Sequence, residues 1–177
     1  MLALAGARPA LATGTRIVCV DGPSGSGKST LAADLAAAVP PGDAVVVQLD
    51  DLLDGWDGGL TRMISSLVGH VLAPLSAGRA SGYRRYDWHA GRFAEWTPVP
   101  PVPLVVVEGV GAGARLTAPY RSLCVWVEAP RELRLARGIA RDGEAFAPHW
   151  LTWADQEDIH FARDETRRRA DLTLTTG

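Results

Sequence analysis

Gly22-Pro23-Ser24-Gly25-Ser26-Gly27-Lys28-Ser29 follows the apolar run Arg16-Ile17-Val18-Cys19-Val20 and precedes Leu31, Leu35 and Val39, which recur at helical spacing. A buried strand, a glycine-rich turn and a helix in that order match G-x-x-x-x-G-K-[ST], the Walker A pattern, in the context that gives it meaning. The glycines let backbone N–H groups turn toward a bound phosphate, and the positive end of the following helix adds unpaired donors. On this reading Gly22, Ser24, Gly25, Ser26, Gly27, Lys28, Ser29 and Thr30 hold ATP, with Lys28 bridging the β- and γ-phosphates and the Ser29 hydroxyl offered to Mg2+. Lys28 is the only lysine beside 17 arginines. Elsewhere the chain uses Arg as its cation, whereas a phosphate cradle requires the compact ammonium on a flexible stem.

Outward from that stretch, apolar β-branched runs alternate with helical patterns. Strands are predicted over 16–20, 44–49, 104–109, 123–127 and 171–175, and helices after the glycine loop and over 60–77, 131–141 and 147–168. Pro40 and Pro41 stop the first of these helices. This rhythm predicts an α/β fold of three layers, a five-stranded parallel sheet flanked by helices. The stretch 78–103, rich in Gly, Pro, Arg and aromatics, is predicted as an irregular excursion at the rim, on the substrate side.

A length of 177 residues with 47% hydrophobic residues suits one domain over 1–177, with 1–15 as a frayed lead-in. The formal charge of −2, from 18 basic and 20 acidic residues without long runs of either sign, argues against a nucleic-acid or polybasic membrane surface. No uncharged stretch reaches the roughly 20 residues of a membrane-spanning helix. Cys19 and Cys124 lie inside apolar runs, where a thiol behaves as a small buried hydrophobe, so a reducing, cytoplasmic setting is expected. The expected partner is a small-molecule acceptor, the chain acting as monomer or homodimer.

The glycine loop leaves the reaction open. A guanine-reading Asn-Lys-x-Asp element is impossible in a chain whose one lysine is Lys28, which excludes GTPases. The second strand ends in Gln48-Leu49-Asp50-Asp51, and a carboxylate at that sheet edge can accept the proton of an attacking hydroxyl, so Asp50 is the candidate base; capping of a turn is the competing role for it and for Asp51. Glu108, at the end of Leu104-Val105-Val106-Val107, joins Ser29 as a candidate for the Mg2+ shell. Trp126, Trp150, Trp153 and Phe161 are read as packing, and His70, His149 and His160 form no metal-ligand cluster. Arg167-Arg168-Arg169 reads as a solvated helix end or as a border of the adenine site.

These elements together resemble the uridine kinase-like branch of P-loop kinases, which includes uridine–cytidine and nicotinamide riboside kinases. The glycine loop, Gln48-Leu49-Asp50-Asp51-Leu52, Tyr86-Asp87-Trp88-His89-Ala90-Gly91-Arg92, Glu108-Gly109, the lid segment from Arg134 to Asp142 within 131–146, and Ala170-Asp171-Leu172 carry the resemblance. It implies Asp50 as base, Trp56-Asp57 at a ribose diol, and Tyr86 and His89 at the nucleobase. It also implies that Asp51, Asp87, Trp88 and Arg92 face the substrate, and that Arg137 and Arg141 stabilise the transferring phosphoryl group. Gly138 stands where the family's lid has a second arginine, and residues 78–103 make a shorter excursion than the family's. The implied activity is ATP-dependent phosphorylation of a nucleoside or nucleoside-like hydroxyl. The alternatives are another hydroxylated metabolite, such as a sugar, vitamin precursor or antibiotic, and a non-catalytic ATP sensor.

Overall fold

The structure, a computed structural model, describes residues 1–143 and 147–177. In chain order the elements are α1 (Leu2–Gly6), β1 (Arg16–Asp21), α2 (Lys28–Ala37), β2 (Ala44–Gln48), α3 (Leu60–Leu67), α4 (Ala73–Ser76), β3 (Gly82–Asp87), β4 (Arg92–Pro98), β5 (Leu104–Glu108), β6 (Leu123–Glu128), α5 (Arg131–Asp142), α6 (Ala147–Asp164), α7 (Thr166–Arg169) and β7 (Leu172–Thr175). Five strands form one sheet in the order β2-β5-β1-β6-β7. All its pairings are parallel, and Glu108 of β5 lies level with Val20 of β1 and Gln48 of β2. The glycine loop after β1, the turn after β2 and Glu108 therefore emerge together at the carboxyl edge, where ligands of such sheets sit.

Alternation along each strand serves two cores. Ile17, Cys19, Val47, Val105 and Val107 pack with Leu60, Ile64, Leu67, Leu72 and Trp153 on one face; Val18, Val20, Val106, Val125 and Val127 pack with Ala5, Ala32 and Leu35 on the other. Burying a Val or Leu side chain stabilises by about 1.5–3 kcal/mol, so a central strand apolar on both faces holds the sheet from both sides. The two cysteines are free and buried, and burial pushes the Cys124 thiol up to about 12.

Four segments depart from the sequence-based expectation. The lead-in forms α1, with Ala5 buried and Arg16 donating to the carbonyls of Ala5 and Gly6, in place of fraying. The segment 60–76 is helical throughout but widens into a π turn over Val68–Leu72; Pro74 has no N–H to offer the preceding turn, which loosens just before it. The last helix ends at Asp164, because Glu165 takes φ 50° and starts the separate turn α7. The excursion 78–103 is an ordered hairpin of β3 and β4, not an irregular loop. Its cross-strand pairs Tyr83–Thr97, Arg84–Trp96 and Tyr86–Phe93 and the Arg85–Glu95 ion pair of 2.6 Å supply sheet contacts that its glycines and prolines had outweighed in the sequence. Gly82 is required there, since a Cβ would stand 2.8 Å from the Trp96 ring.

Candidate active site

The glycine loop presents its carbonyls to the C-terminal half of the chain. Arg134 donates to the carbonyl of Ser24, Arg137 to that of Gly25, and the Thr176 hydroxyl to that of Ser26 at 2.9 Å. Turning the carbonyls outward turns part of the amide row inward, which is the geometry of an anion-binding nest. Not every amide joins it. Gly22 N–H goes to Asp21 Oδ1, Ser24 N–H to Glu157 Oε1 and Ser26 N–H to the Pro23 carbonyl, whereas those of Gly25 and Gly27 meet no acceptor among the described residues. The first turn of α2 adds donors that no helical carbonyl can reach. At Gly25, φ 76° and a carbonyl of Arg134 only 2.3 Å from any added Cβ leave room for glycine alone.

A cavity of about 310 Å³ opens over this cradle, lined by Ser24, Gly25, Gly27, Lys28, Ser29, Thr30, Asp50, Glu108, Arg137 and Arg141 among others. Lys28 rests with Nζ on the Pro23 carbonyl at 3.0 Å. Ser29 donates its hydroxyl to Glu108 Oε1 at 2.9 Å. Burial raises the Glu108 pKa, while Lys28 pulls it back. A hydroxyl and a carboxylate are hard oxygen donors of the kind that fits Mg2+, which takes the rest of its shell from water and phosphate oxygens.

A second cavity of about 690 Å³ adjoins the first and is lined by Gln48, Asp51, Leu53, Trp56, Trp88, His89 and Trp153 together with Ser24, Asp50 and Arg141. The last three line both cavities, so Asp50 stands at the junction. It occupies a short 3-10 turn, Leu49–Leu52, directly after β2, anchored by the buried Leu49 and Leu52. Trp88 Nε1 donates to the Asp50 carbonyl at 3.2 Å. Asp51 accepts from the Tyr83 hydroxyl at 3.3 Å, and burial raises its pKa. Trp56 also lines the cavity, stacked on His149 at 4.8 Å, tilted against Trp88 at 5.3 Å and edge-on to Trp153 at 6.1 Å.

Of the remaining expected residues, Asp57, Tyr86, Asp87 and Arg92 fall outside both cavities. Asp57 is exposed. Tyr86 is buried behind Trp88, their rings 5.1 Å apart and edge-on. Asp87 caps the hairpin turn by accepting the N–H groups of His89 and Ala90, and Arg92 pairs with Asp87 across that turn. Arg137 lines the cradle, but its guanidinium bonds Thr176 Oγ1 at 2.8 Å as well as the Gly25 carbonyl. The far end of the lid segment, 144–146, lies outside the described residues. Arg167 pairs with Glu128, Arg168 with Glu165, and Arg169 bonds the carbonyls of Asp164 and Gly113, so this run ties α7 to its surroundings.

Three contributors were missed in the sequence. Asp21, fully buried, accepts N–H groups from Gly22, Gly111 and Gly113 and so joins the glycine loop to the segment after β5. Trp153, read as packing, is indeed buried, but its Nε1 also donates to Ser24 Oγ at 2.9 Å. Glu157 takes the Ser24 amide. The available signal was spacing: Trp150, Trp153 and Glu157 share one helix face.

Comparison with solved structures decides the fold. A possible uridine kinase from Bacillus stearothermophilus superposes with a TM-score of 0.68 at 19% identity, over 90% of this chain and 88% of that one. A putative fructose transport system kinase from Silicibacter sp. TM1040 superposes with a TM-score of 0.70 at 21% identity, over 90% and 89%. The chain has the fold of the P-loop kinases. No family model matches its sequence, and no curated protein matches it. Among the described residues of this P-loop kinase fold, no helix is long and apolar enough to cross a membrane.

Proposed function

We propose that the chain is an ATP-dependent small-molecule kinase that transfers the γ-phosphate to a hydroxyl of a nucleoside or nucleoside-like acceptor. The observation that carries this reading is the position of Asp50, a carboxylate lining both the phosphate cradle and the larger tryptophan-walled cavity. A purely nucleotide-sensing module has no use for a carboxylate at that junction, nor for an adjoining cavity of about 690 Å³.

The loop amides and Lys28 hold the β- and γ-phosphates, and Arg141 adds positive charge at the junction. Mg2+, held by Ser29 and Glu108, supplies neutralisation of phosphate charge when bound. Asp50 takes the proton of the acceptor hydroxyl as its oxygen bonds to the γ-phosphorus; the bond from that phosphorus to the β–γ bridging oxygen breaks, and ADP departs. Trp56, Trp88 and Trp153 offer faces and edges to a flat ring, and Asp51 accepts hydroxyl hydrogens. Asp57, which the resemblance implies at a ribose diol, is exposed and lines neither cavity, which favours a second reading in which the acceptor is another hydroxylated metabolite.

Acceptor-stimulated ADP release across a panel of nucleosides, sugars and hydroxylated vitamins tests the proposal. One acceptor class is expected to stimulate turnover, and Asp50→Asn is expected to lower kcat by about 10²–10⁴-fold. ATP turnover that no acceptor accelerates, or an Asp50→Asn protein with unchanged kcat, would refute it.

A further inference from the structure

Ser24 is where the phosphate cradle meets the acceptor cavity, and each of its polar atoms is held by the C-terminal half of the chain. Its N–H donates to Glu157 Oε1 at 2.9 Å, its hydroxyl oxygen accepts from Trp153 Nε1 at 2.9 Å, and its carbonyl accepts from Arg134 Nη1 at 3.3 Å. Glu157 is 2% exposed and faces Arg134 with its second oxygen at 4.0 Å. Burying a carboxylate is costly unless it is bonded, and an apolar side chain would serve if α6 only packed at this point. An indole N–H and a carboxylate that converge on one loop residue instead fix the direction of that residue. They draw the Ser24 amide out of the cradle toward α6 and set the course of the glycines that follow.

Trp153 and Glu157 are four residues apart, so they lie one above the other on the same face of α6. Trp153 is also a wall of the acceptor cavity. One helical turn thus connects that wall directly to the phosphate loop. We propose that Trp153 and Glu157 are positioning residues that couple the two cavities: a polyphosphate in the cradle orders the Trp153 wall, and an acceptor pressed on that wall steadies the loop. The inference rests on the kinase reading above, and because coupling is reciprocal its nucleotide half, the ordering of the Trp153 wall by a polyphosphate, can be tested with nucleotide alone.

The probe is MgADP. In protein labelled with 5-fluorotryptophan, the 19F resonance of Trp153, assigned by its loss in Trp153→Phe, is expected to shift at saturating MgADP. In Ser24→Ala, which keeps the loop but removes the indole's acceptor, the shift at saturation is expected to shrink at least threefold. By calorimetry, Glu157→Ala is expected to weaken MgADP binding about tenfold, while Glu157→Gln, which retains an oxygen for the Ser24 amide, stays at or above the unsubstituted affinity. A Trp153 resonance unmoved by saturating MgADP, or a folded Glu157→Gln as weak as Glu157→Ala, overturns the coupling. MgADP binding without phosphorylation of any acceptor would instead sink the kinase reading, whereas phosphotransfer with a silent Trp153 would sink the coupling alone.

Discussion

The two cavities are built differently. The cradle is built around one contiguous stretch, within residues 24–30, whose backbone bends at glycines and whose single lysine completes it. The acceptor cavity is gathered from the turn after β2, Trp56, the hairpin tip at Trp88-His89, Arg141 and Trp153, a span of more than 100 residues. A local site depends on backbone geometry and tolerates little change, whereas an assembled site depends on several side chains that share the load. Lys28→Ala should therefore be the most damaging substitution. It removes the one compact cation aimed at the phosphates, and phosphotransfer should fall on the order of 10³-fold, the scale of losing a preorganised charge-stabilising donor. Arg replacement at that position should not rescue it, because a rigid fork cannot occupy the seat of an ammonium. Initial rates with the best acceptor from the panel check both outcomes, and a Lys28→Arg protein near full activity would remove the cradle's special status.

On the assembled side a single wall should matter less. Trp56→Ala removes the ring between His149, Trp88 and Trp153, and the acceptor KM should rise about tenfold, in line with the packing of one aromatic wall. MgADP affinity should stay within about threefold, since Trp56 does not line the cradle. Steady-state kinetics combined with calorimetry separates the two effects. Equal losses in acceptor and nucleotide binding would mean that the two regions are one site.

The same contrast explains what could be read from residue order. The parallel sheet, the glycine loop, the Ser29–Glu108 pair and the placement of Asp50 follow from patterns a few residues long, and the structure brings them together as those patterns imply. Residues 82–98 were misread because Gly82 and the prolines signalled a loop, while the stabilising pairs Tyr83–Thr97 and Tyr86–Phe93 join positions far apart in the chain. Arg137 was assigned to phosphate from its lid position, yet an arginine also reaches backbone carbonyls, and it bonds Gly25 and Thr176. Trp153 and Glu157 have ordinary helical spacing, and only the fold shows that their face meets Ser24.

Asp21 offers the smallest and sharpest test, because it props the local site from behind without lining either cavity. Its carboxylate holds the first amide of the glycine loop and two amides of the segment after β5, and Asp21→Asn replaces one acceptor oxygen with an amide that faces a donor. A loss of about 1–3 kcal/mol of stability is expected from the unpaired N–H. Burial holds the Asp21 carboxyl at about 6, above its ordinary 3.8, although the three amides and Lys28 pull it down. Since the folded chain binds this proton more tightly than the unfolded one, the stability it contributes is full below pH 3.8 and is lost as pH rises through about 6. The advantage of the unsubstituted protein over Asp21→Asn should therefore shrink between pH 4 and pH 7, by on the order of 3 kcal/mol at most. Urea unfolding of both proteins across that range measures the gap. Parallel curves would mean that the amides, and not burial, govern this carboxylate, and the glycine loop would then be held by a permanent charge at its base.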